Sequence, residues 1–209
     1  MQDEYKSAKY YDKFLHLFVW RIRKKILQIV KKNQYCKILD VCCGTGNQLK
    51  LLKKHGIDGT GVDLSKAMLE IADSGNVKVN CFEQDAENII FNDESFDMTM
   101  TTFALHEKSN SSARKILKEM IRLTKKNGHV ILVDFSINKQ TSYLAKKGIS
   151  FIESRAGDDH YKYYKEFIAS NGLGTLLVDF QLKEVEEHYF ALNSVVLKVL
   201  QKLDSISLE

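Results

Sequence analysis

The 209-residue sequence contains no proline, a single tryptophan and only four cysteines. Without proline, the ends of helices and loops must be inferred from glycine, asparagine and the apolar pattern. The cysteines include the adjacent pair Cys42 and Cys43, and no two cysteines have the CxxC spacing of a zinc site. The six histidines form no HExxH motif and no cluster with carboxylates along the sequence. We therefore expect reduced thiols and no metal site.

The sequence also lacks any apolar run long enough to span a membrane. Its N-terminal stretch has charges every few residues where a signal peptide would have an apolar segment. These features predict a cytoplasmic protein. The length suits a single α/β domain, with the following expected segments: an N-terminal helical cap at 1–35, a cofactor-binding core at 36–136, a helical insertion or lid at 140–178 and a C-terminal hairpin at 182–202.

The formal net charge of +4 is unevenly distributed. Residues 1–37 contain ten Lys and Arg against three Asp and Glu, so the rest of the chain is slightly acidic. Within this segment, residues 12–32 place apolar side chains at three-and-four spacing between basic ones, which predicts an amphipathic basic helix. Its charged face has three interpretations: a solvated surface, contact with an anionic membrane surface, or contact with RNA. The solvated surface is favoured, because charge runs most often solvate a helix.

From residue 37 onward, apolar strand-like runs alternate with helical patterns. This alternation predicts a mostly parallel, doubly wound Rossmann-like α/β sheet with helices on both faces. Two apolar runs near the C-terminus, EVEEHYF and SVVLKVL, predict an antiparallel hairpin added to the sheet edge. A strong helix is expected at 112–126, ended by Gly128. The expected parallel strands lie at 37–42, 59–64, 77–82, 96–103 and 129–135.

The loop after the first strand contains Gly44 and Gly46, directly preceded by the carboxylate of Asp40 and by two cysteines. Ligands of open α/β sheets bind beyond the carboxyl ends of the strands, and glycines let a ligand approach the backbone closely. A phosphate-binding loop would need GxxxxGK, and a dinucleotide fingerprint would need a third glycine where Leu49 stands. Asp40 would repel a pyrophosphate, but it suits a ligand with ammonium and sulfonium charges.

Two further carboxylates follow the next two strands. Asp63 ends the second strand, where a carboxylate can accept hydrogen bonds from both hydroxyls of a ribose. Asp85 follows the third strand, where it suits the exocyclic amine of adenine. Each carboxylate alone is equally well explained as a helix cap or a loop residue. Together with the glycine loop, they indicate a nucleoside ligand without phosphate, namely S-adenosylmethionine.

Four segments, ILDVCCGTGN, GTGVDLSKAML, QDAENIIF and LKEMIRLTKKNGHVILVDF, resemble the successive motifs of the class I methyltransferases. The resemblance is to the small-molecule group that includes the ubiquinone and menaquinone biosynthesis C-methyltransferases, and it covers about residues 35–136. It implies that Asp40 and the loop from Gly44 to Gly46 hold the methionine end of the cofactor, Asp63 the ribose, and Asp85 with Ala86 the adenine. We expect the cofactor site to include also Tyr11, Cys42, Thr45, Leu64, Met68 and Thr102.

The sequence departs from this family in places. The family loop usually has glycine where this chain has Cys42, and Asn127 with Gly128 stands where family members often have Pro-Gly. The quinone enzymes carry their own signature after the fourth strand, and FALHEK at 103–108 does not match it. The resemblance therefore leaves the acceptor open. Tyr11, followed by Asp12, resembles a Tyr-Asp pair in the family segment that closes over the cofactor.

Three residues are candidates for catalysis on the acceptor side. His106 follows the fourth strand and is a possible general base, although a histidine that orients the following loop, or one that is simply exposed, is the commoner case. His160 and Tyr164 lie in DDHYKYYKEF at 158–167, where aromatic residues suit a lid over an apolar or aromatic acceptor. Helix packing is the competing interpretation for at least two tyrosines of this stretch.

These observations predict an S-adenosylmethionine-dependent enzyme that methylates a small molecule. No DPPY- or NPPY-like tetrapeptide and no Pro-Cys dipeptide is present, so the signatures of DNA amino- and C5-methylation are missing. Two alternatives remain open. One is an RNA or protein methyltransferase that uses the basic N-terminal helix, and the other is a non-catalytic protein that binds S-adenosylmethionine.

Overall fold

The computed structural model describes residues 19–137 and 140–203. The helices are α1 (19–33), α2 (Asn47–Lys53), α3 (Lys66–Asp73), α4 (Asn110–Leu123), α5 (Tyr143–Glu153), α6 (Asp158–Ala169) and α7 (Leu173–Leu177). The strands are β1 (Ile38–Val41), β2 (Thr60–Asp63), β3 (Asn80–Glu83), β4 (Phe96–Thr102), β5 (Thr124–Phe135), β6 (Leu182–Phe190) and β7 (Val195–Lys202).

The seven strands form one sheet in the order β3-β2-β1-β4-β5-β7-β6. Strands β1 to β5 pair in parallel, whereas β7 pairs antiparallel with both β5 and β6. The strand order reverses direction between β1 and β4, which is where an open α/β sheet forms its ligand crevice. The predicted fold class, including the C-terminal antiparallel hairpin, is confirmed. The single-domain organisation with its segment boundaries stays a prediction.

Helices cover both faces of the sheet, each over its own apolar cluster. On one face, α4 contributes Ile116, Leu117 and Met120, which pack with Leu173 and Leu176 of α7 against strand residues. On the other face, α1 and α2 pack against the opposite side chains of β1, β4, β5 and β7. Alternation of side chains along each strand produces this two-sided core.

Helix α1 directs its apolar side into this core. Ile22, Ile26 and Ile29 are buried there, whereas Arg21 and Lys24 are exposed. Lys32 forms an ion pair with Glu186 of β6, with 2.7 Å between Nζ and Oε1. The apolar face is therefore used for packing within the protein. The predicted helix began at residue 12, and its part before residue 19 lies outside the described residues.

The boundary between α4 and β5 differs from the sequence prediction. The sequence pattern predicts that the helix includes residues 124–126, but the helix ends at Leu123 and Thr124 pairs with Phe96 of β4. The hydroxyl of Thr124 donates to the carbonyl oxygen of Met120 at 2.7 Å, so it satisfies a carbonyl of the last helical turn at the point where the helix ends. Gly128 accordingly lies in the strand, where a Cβ would come within 2.8 Å of the carbonyl oxygen of Asp97. The predicted start of the third strand, residue 77, was also wrong, since β3 begins at Asn80.

Within the described ranges, none of the helices combines the length and apolar character that crossing a membrane requires.

Candidate functional site

The loop between β1 and α2 turns sharply through three residues with positive φ. These are Cys42 at +58°, Gly44 at +54° and Gly46 at +67°, and Gly46 is also the N-cap of α2. A Cβ on Gly44 would meet nothing within 4 Å, so the space beside this backbone is open to a ligand. Cys42 adopts a conformation that costs a side-chain-bearing residue roughly 1–2 kcal/mol. A glycine would avoid this cost, because it has no Cβ.

Asp40 lies at the base of this loop and is only 2% exposed. Its Oδ1 atom is buried and has no hydrogen-bond partner among the described residues. Burial raises the pKa of this carboxyl well above its usual value, and the neighbouring Cys81 and Asp63 raise it further, against the opposing effect of Arg23. A buried carboxylate oxygen without a partner is energetically costly, and a cationic ligand group would compensate for that cost.

The second predicted carboxylate connects two elements of the site. The Oδ2 atom of Asp63 accepts a hydrogen bond from the backbone nitrogen of Gly44 at 2.8 Å. Its Oδ1 atom accepts one from the backbone nitrogen of Ser65, the N-cap of α3, at 2.9 Å. Asp63 therefore holds the glycine loop against the end of β2, and each oxygen keeps a lone pair for a further donor.

The third predicted carboxylate, Asp85, is exposed and accepts a hydrogen bond from the backbone nitrogen of Glu87 at 2.9 Å. The adjacent Ala86 is buried. Asp40, Asp63 and Asp85 therefore lie at the ends of three neighbouring strands, of which β3 is the edge strand of the sheet. This run of strand ends matches the long shape of an adenine nucleoside ligand.

Four other predicted cofactor residues lie at the ends of β1, β2 and β4 or in the elements that follow them. Leu64 is 65% exposed after β2, and the backbone nitrogen of Met68 donates to the Ser65 side chain at the start of α3. Thr45 is buried in the glycine loop, and Thr102 is half-buried at the end of β4. Tyr11 lies outside the described residues.

The loop after β4 carries the first predicted acceptor-side residue. His106 is 1% exposed, and its Nδ1 atom lies 2.7 Å from Oδ1 of Asp134 on β5. Asp134 also accepts hydrogen bonds from the backbone nitrogens of Leu105 and His106 and so fixes the loop. Burial disfavours the charged imidazole, but Asp134 and Glu153 outweigh that effect and raise the pKa of His106 to about 10.

Two electrostatic effects connect this loop to the glycine loop. Burial raises the pKa of the Cys42 thiol to about 12, and the charges of Asp63, Lys108 and Glu107 all act on it. The pKa of Lys108 is raised. Burial lowers this pKa, but the carboxylate of Glu107, together with the side chains of Cys42 and Asp63, has the larger effect and favours the charged ammonium. The charges of the acceptor-side loop are therefore close enough to the glycine loop to act on the Cys42 thiol.

The insertion brings His160 and Tyr164 next to His106. Glu153, at the end of α5, lies between the histidines: its Oε2 atom is 2.5 Å from Nε2 of His160 and 3.4 Å from Nε2 of His106. Burial disfavours the charge of Glu153, but the histidines outweigh it and lower its pKa to about 2. The ring of Tyr164 packs edge-on against His106, with 6.2 Å between ring centroids.

All three predicted catalytic residues thus lie close together. The sequence did not predict the two carboxylates that contact the histidines, Glu153 and Asp134. Phe103 and Phe135 extend the cluster toward the end of β4, with 5.4 Å between their ring centroids. Phe103 has a φ of +55°, which is uncommon for an aromatic residue and points to a constrained position next to a site.

Comparison with known proteins agrees with this architecture. Residues 38–128, from the start of β1 into β5, match the model of a methyltransferase domain family. The demethylmenaquinone methyltransferase of Thermotoga maritima is 27% identical over 177 residues, covering 80% of this chain and 76% of that protein. The matched region and this relative support a class I S-adenosylmethionine-dependent methyltransferase.

Further likenesses lie in the same class. A demethylmenaquinone methyltransferase of Staphylococcus aureus is 36% identical over 126 residues, which are 56% of this chain and 50% of that protein. A solved structure described as SAM-dependent methyltransferases from Methanosarcina mazei superimposes with a TM-score of 0.63 at 19% identity, covering 81% of this chain and 93% of the other. The predicted enzyme class and cofactor, and the resemblance to the small-molecule group, are confirmed.

Proposed function

We propose that this methyltransferase binds S-adenosylmethionine along the crevice from Asp40 to Asp85 and methylates a small molecule with a hydroxylated aromatic ring. One observation carries the cofactor assignment: the buried Oδ1 atom of Asp40 has no partner among the described residues and lies behind an open glycine loop. The ammonium group of the cofactor would supply that partner. A charge-assisted hydrogen bond of this kind contributes about 1.5–3 kcal/mol.

The other residues of the site would contact different parts of the cofactor. In this proposal the backbone from Gly44 to Gly46 faces the methionine end, Asp63 accepts hydrogen bonds from the ribose hydroxyls, and Asp85 with Ala86 meets the adenine. Cys42, Thr45, Leu64, Met68 and Thr102 complete the walls. The carboxylate of Asp63 is preorganised to bind the ribose, because two backbone hydrogen bonds fix its orientation in the free protein.

When bound, the cofactor supplies a methyl group that its sulfonium charge already activates. The protein therefore has to align an acceptor and exclude water rather than create a strong electrophile. Phe103 and the loop that ends at Lys108 border the glycine loop, and α5 and α6 cover them from the insertion side. His106, His160 and Tyr164 would line this acceptor side, and a catalytic role for any of them stays a prediction.

Two observations support an acceptor with an aromatic ring. The relatives from Thermotoga and Staphylococcus are named for demethylmenaquinone, a quinone with an aromatic ring system. In this chain, the rings of Phe103, Phe135, Tyr161 and Tyr164 form a continuous aromatic cluster beside the loop after β4. Because the FALHEK stretch differs from the quinone-enzyme signature, we propose the wider class of hydroxylated aromatic rings. A cytoplasmic location stays part of this proposal, and the four free cysteines support it.

The test is transfer of a labelled methyl group from S-adenosylmethionine to a panel of acceptors. The panel contains reduced naphthoquinones, simple phenols and a metabolite extract, with transfer RNA and a peptide mixture as the competing classes. We expect label in an organic-extractable product of low mass, and much less of it with the Asp40→Asn variant when the cofactor concentration is near the dissociation constant of the unchanged chain. Label confined to RNA or peptide would replace the acceptor proposal. Cofactor binding with slow hydrolysis alone, and no labelled product, would favour a non-catalytic binding protein.

A further inference from the structure

His106, Glu153 and His160, which we call the histidine–glutamate cluster, bring three metal-ligating atoms together. One nitrogen from each histidine and one oxygen of Glu153 lie within 4.8 Å of one another. These residues come from three separate segments: the loop after β4, the end of α5 and the first turns of α6. We propose that the cluster binds one divalent transition-metal ion, with Zn²⁺ as the ion that its donors suit best. The sequence predicted no metal site, so this proposal rests on the structure alone.

The strongest support is the Nε2 atom of His106. It is buried and has no hydrogen-bond partner among the described residues. Its separation of 3.4 Å from Oε2 of Glu153 is an ion-pair distance without the geometry of a hydrogen bond. Buried polar atoms nearly always have a partner, and leaving one without is costly. A metal ion between the two residues would satisfy both atoms.

The second support is the set of carboxylates behind the ligands. Metal-binding histidines usually direct the other ring nitrogen to a carboxylate or carbonyl oxygen, which fixes the tautomer. His106 does so through Nδ1, 2.7 Å from Asp134, and Nδ1 of His160 lies 3.4 Å from Oε2 of Glu107. Both imidazoles therefore turn Nε2 toward Glu153. With neutral imidazoles, the three carboxylates give the site a charge of −3, which favours a dication.

The distances fit a tetrahedral ion after a small adjustment. Zinc–ligand bonds of about 2.0–2.2 Å place neighbouring ligand atoms roughly 3.3 Å apart. The 3.4 Å between His106 and Glu153 already has this value, whereas the 2.5 Å between Glu153 and His160 must widen. The His160 side chain is 18% exposed, so it has room to move and gives the ion a path from solvent. Three protein ligands leave the fourth position for water or another small ligand.

The ion would tie the insertion to the core. Glu153 belongs to α5 and His160 to α6, while His106 is anchored to β5 through Asp134. Binding would therefore stabilise the packing of both helices on the loop after β4, and it would raise the thermal stability of the chain. This consequence does not depend on the acceptor or on methyl transfer.

The test is titration of the full-length chain, stripped with a chelator and dialysed, with ZnCl₂ and separately with CoCl₂. We expect one ion per chain, a rise in the unfolding temperature, and visible Co²⁺ absorption typical of four or five nitrogen and oxygen ligands. His160→Ala should weaken Zn²⁺ binding about 100-fold or more, and Glu107→Gln about tenfold. Far-UV circular dichroism checks the fold of each variant. If His160→Ala is not folded, His160→Gln takes its place.

Two matched controls separate this site from other zinc ligands. His188 also contacts a glutamate, with 3.1 Å between its Nε2 and Oε2 of Glu186, but it lies outside the histidine–glutamate cluster. His188→Gln should bind Zn²⁺ as tightly as the unchanged chain. Cys81→Ser should do so too, because its thiol partner is Cys43. The proposal is overturned by absence of stoichiometric binding, by unchanged affinity in the folded His160 variant, or by loss of binding in Cys81→Ser.

Discussion

The Oδ2 atom of Asp63 and the backbone nitrogen of Gly44 form a 2.8 Å hydrogen bond that joins the end of β2 to the glycine loop after β1. Two motifs that lie apart in the sequence thus form one rigid unit. Because the second oxygen of Asp63 holds the start of α3, a single carboxylate positions both sides of the crevice. A ligand that spans the crevice depends on this residue for shape as well as for direct contact.

We therefore expect Asp63→Ala to lose both cofactor affinity and stability. Removal of the acceptor for two backbone N–H groups should lower the unfolding free energy by about 2 kcal/mol, or roughly 4–8 °C in melting temperature. The dissociation constant for S-adenosylhomocysteine should rise roughly 10- to 100-fold. Calorimetric titration and thermal unfolding measure the two effects.

Asp73→Ala is the matched control for this change. Asp73 is an exposed carboxylate whose ion-pair partner is Lys78, and it lies at the far end of α3 from Asp63. Its removal should change melting temperature and affinity little, because exposed ion pairs contribute little stability. If Asp63→Ala behaved like this control, Asp63 would have no role in the site.

The Asp40→Asn variant should be more stable than the unchanged chain near neutral pH. The pKa of Asp40 is raised in the folded protein from its usual value of 3.8, so ionisation in the unfolded chain favours unfolding once the pH exceeds about 4. The variant should therefore have a higher melting temperature than the unchanged chain at neutral pH. Melting curves should show no gain below pH 3.8, a gain that increases as the pH rises from there to the folded-state pKa, and a constant gain above it. A variant less stable than the unchanged chain at neutral pH would contradict the burial argument.

Cofactor binding should release a proton from Asp40. Burial favours the protonated carboxyl in the free protein, whereas the ammonium group of the ligand favours the carboxylate, so binding lowers this pKa. Affinity should therefore increase with pH until the pH exceeds the free-state pKa. Titration calorimetry in buffers with different ionisation enthalpies measures the proton directly. The release should vanish in Asp40→Asn, and a proton count that is the same in both proteins would assign it to another group.

The ring of Tyr164, rather than its hydroxyl, should matter for the acceptor side. Burial raises the pKa of Tyr164 to about 12, so the hydroxyl keeps its proton at neutral pH. Tyr164→Phe should leave kcat for the best acceptor within about threefold, because the packing against His106 and Phe135 is kept. Tyr164→Ala removes that packing and should cost about 3–5 kcal/mol of stability. A tenfold or larger fall in kcat for Tyr164→Phe would instead make the hydroxyl part of the chemistry.

The sequence predicted the cofactor side better than the acceptor side, for a physical reason. Asp40 and Asp63 lie in the last residues of β1 and β2, Asp85 comes two residues after β3, and parallel strands bring their carboxyl ends to one edge. Their proximity therefore follows from the strand pattern alone. Glu153, in contrast, stands at the end of an ordinary amphipathic helix, and nothing in its local sequence indicates that α5 and α6 fold it between two histidines.

The boundary between α4 and β5 shows a second limit of the sequence pattern. The stretch after Leu123 continues a helical spacing of polar residues, and a Thr hydroxyl that bonds the helix backbone is not visible in that spacing. The register of β4 against β5 decides the matter, because Phe96 pairs with Thr124 and leaves no place for another helical turn. Tertiary pairing thus overrides local preference at this point.

The most direct test of the account compares two ligands on two proteins. S-adenosylhomocysteine carries the amino-acid end that Asp40 is proposed to bind, whereas 5′-methylthioadenosine has the same nucleoside without it. We expect Asp40→Asn to weaken S-adenosylhomocysteine roughly 10- to 100-fold and to change the affinity for methylthioadenosine less than about twofold. Equal losses for both ligands, or no loss for either, would contradict the assignment of Asp40 to the ammonium group.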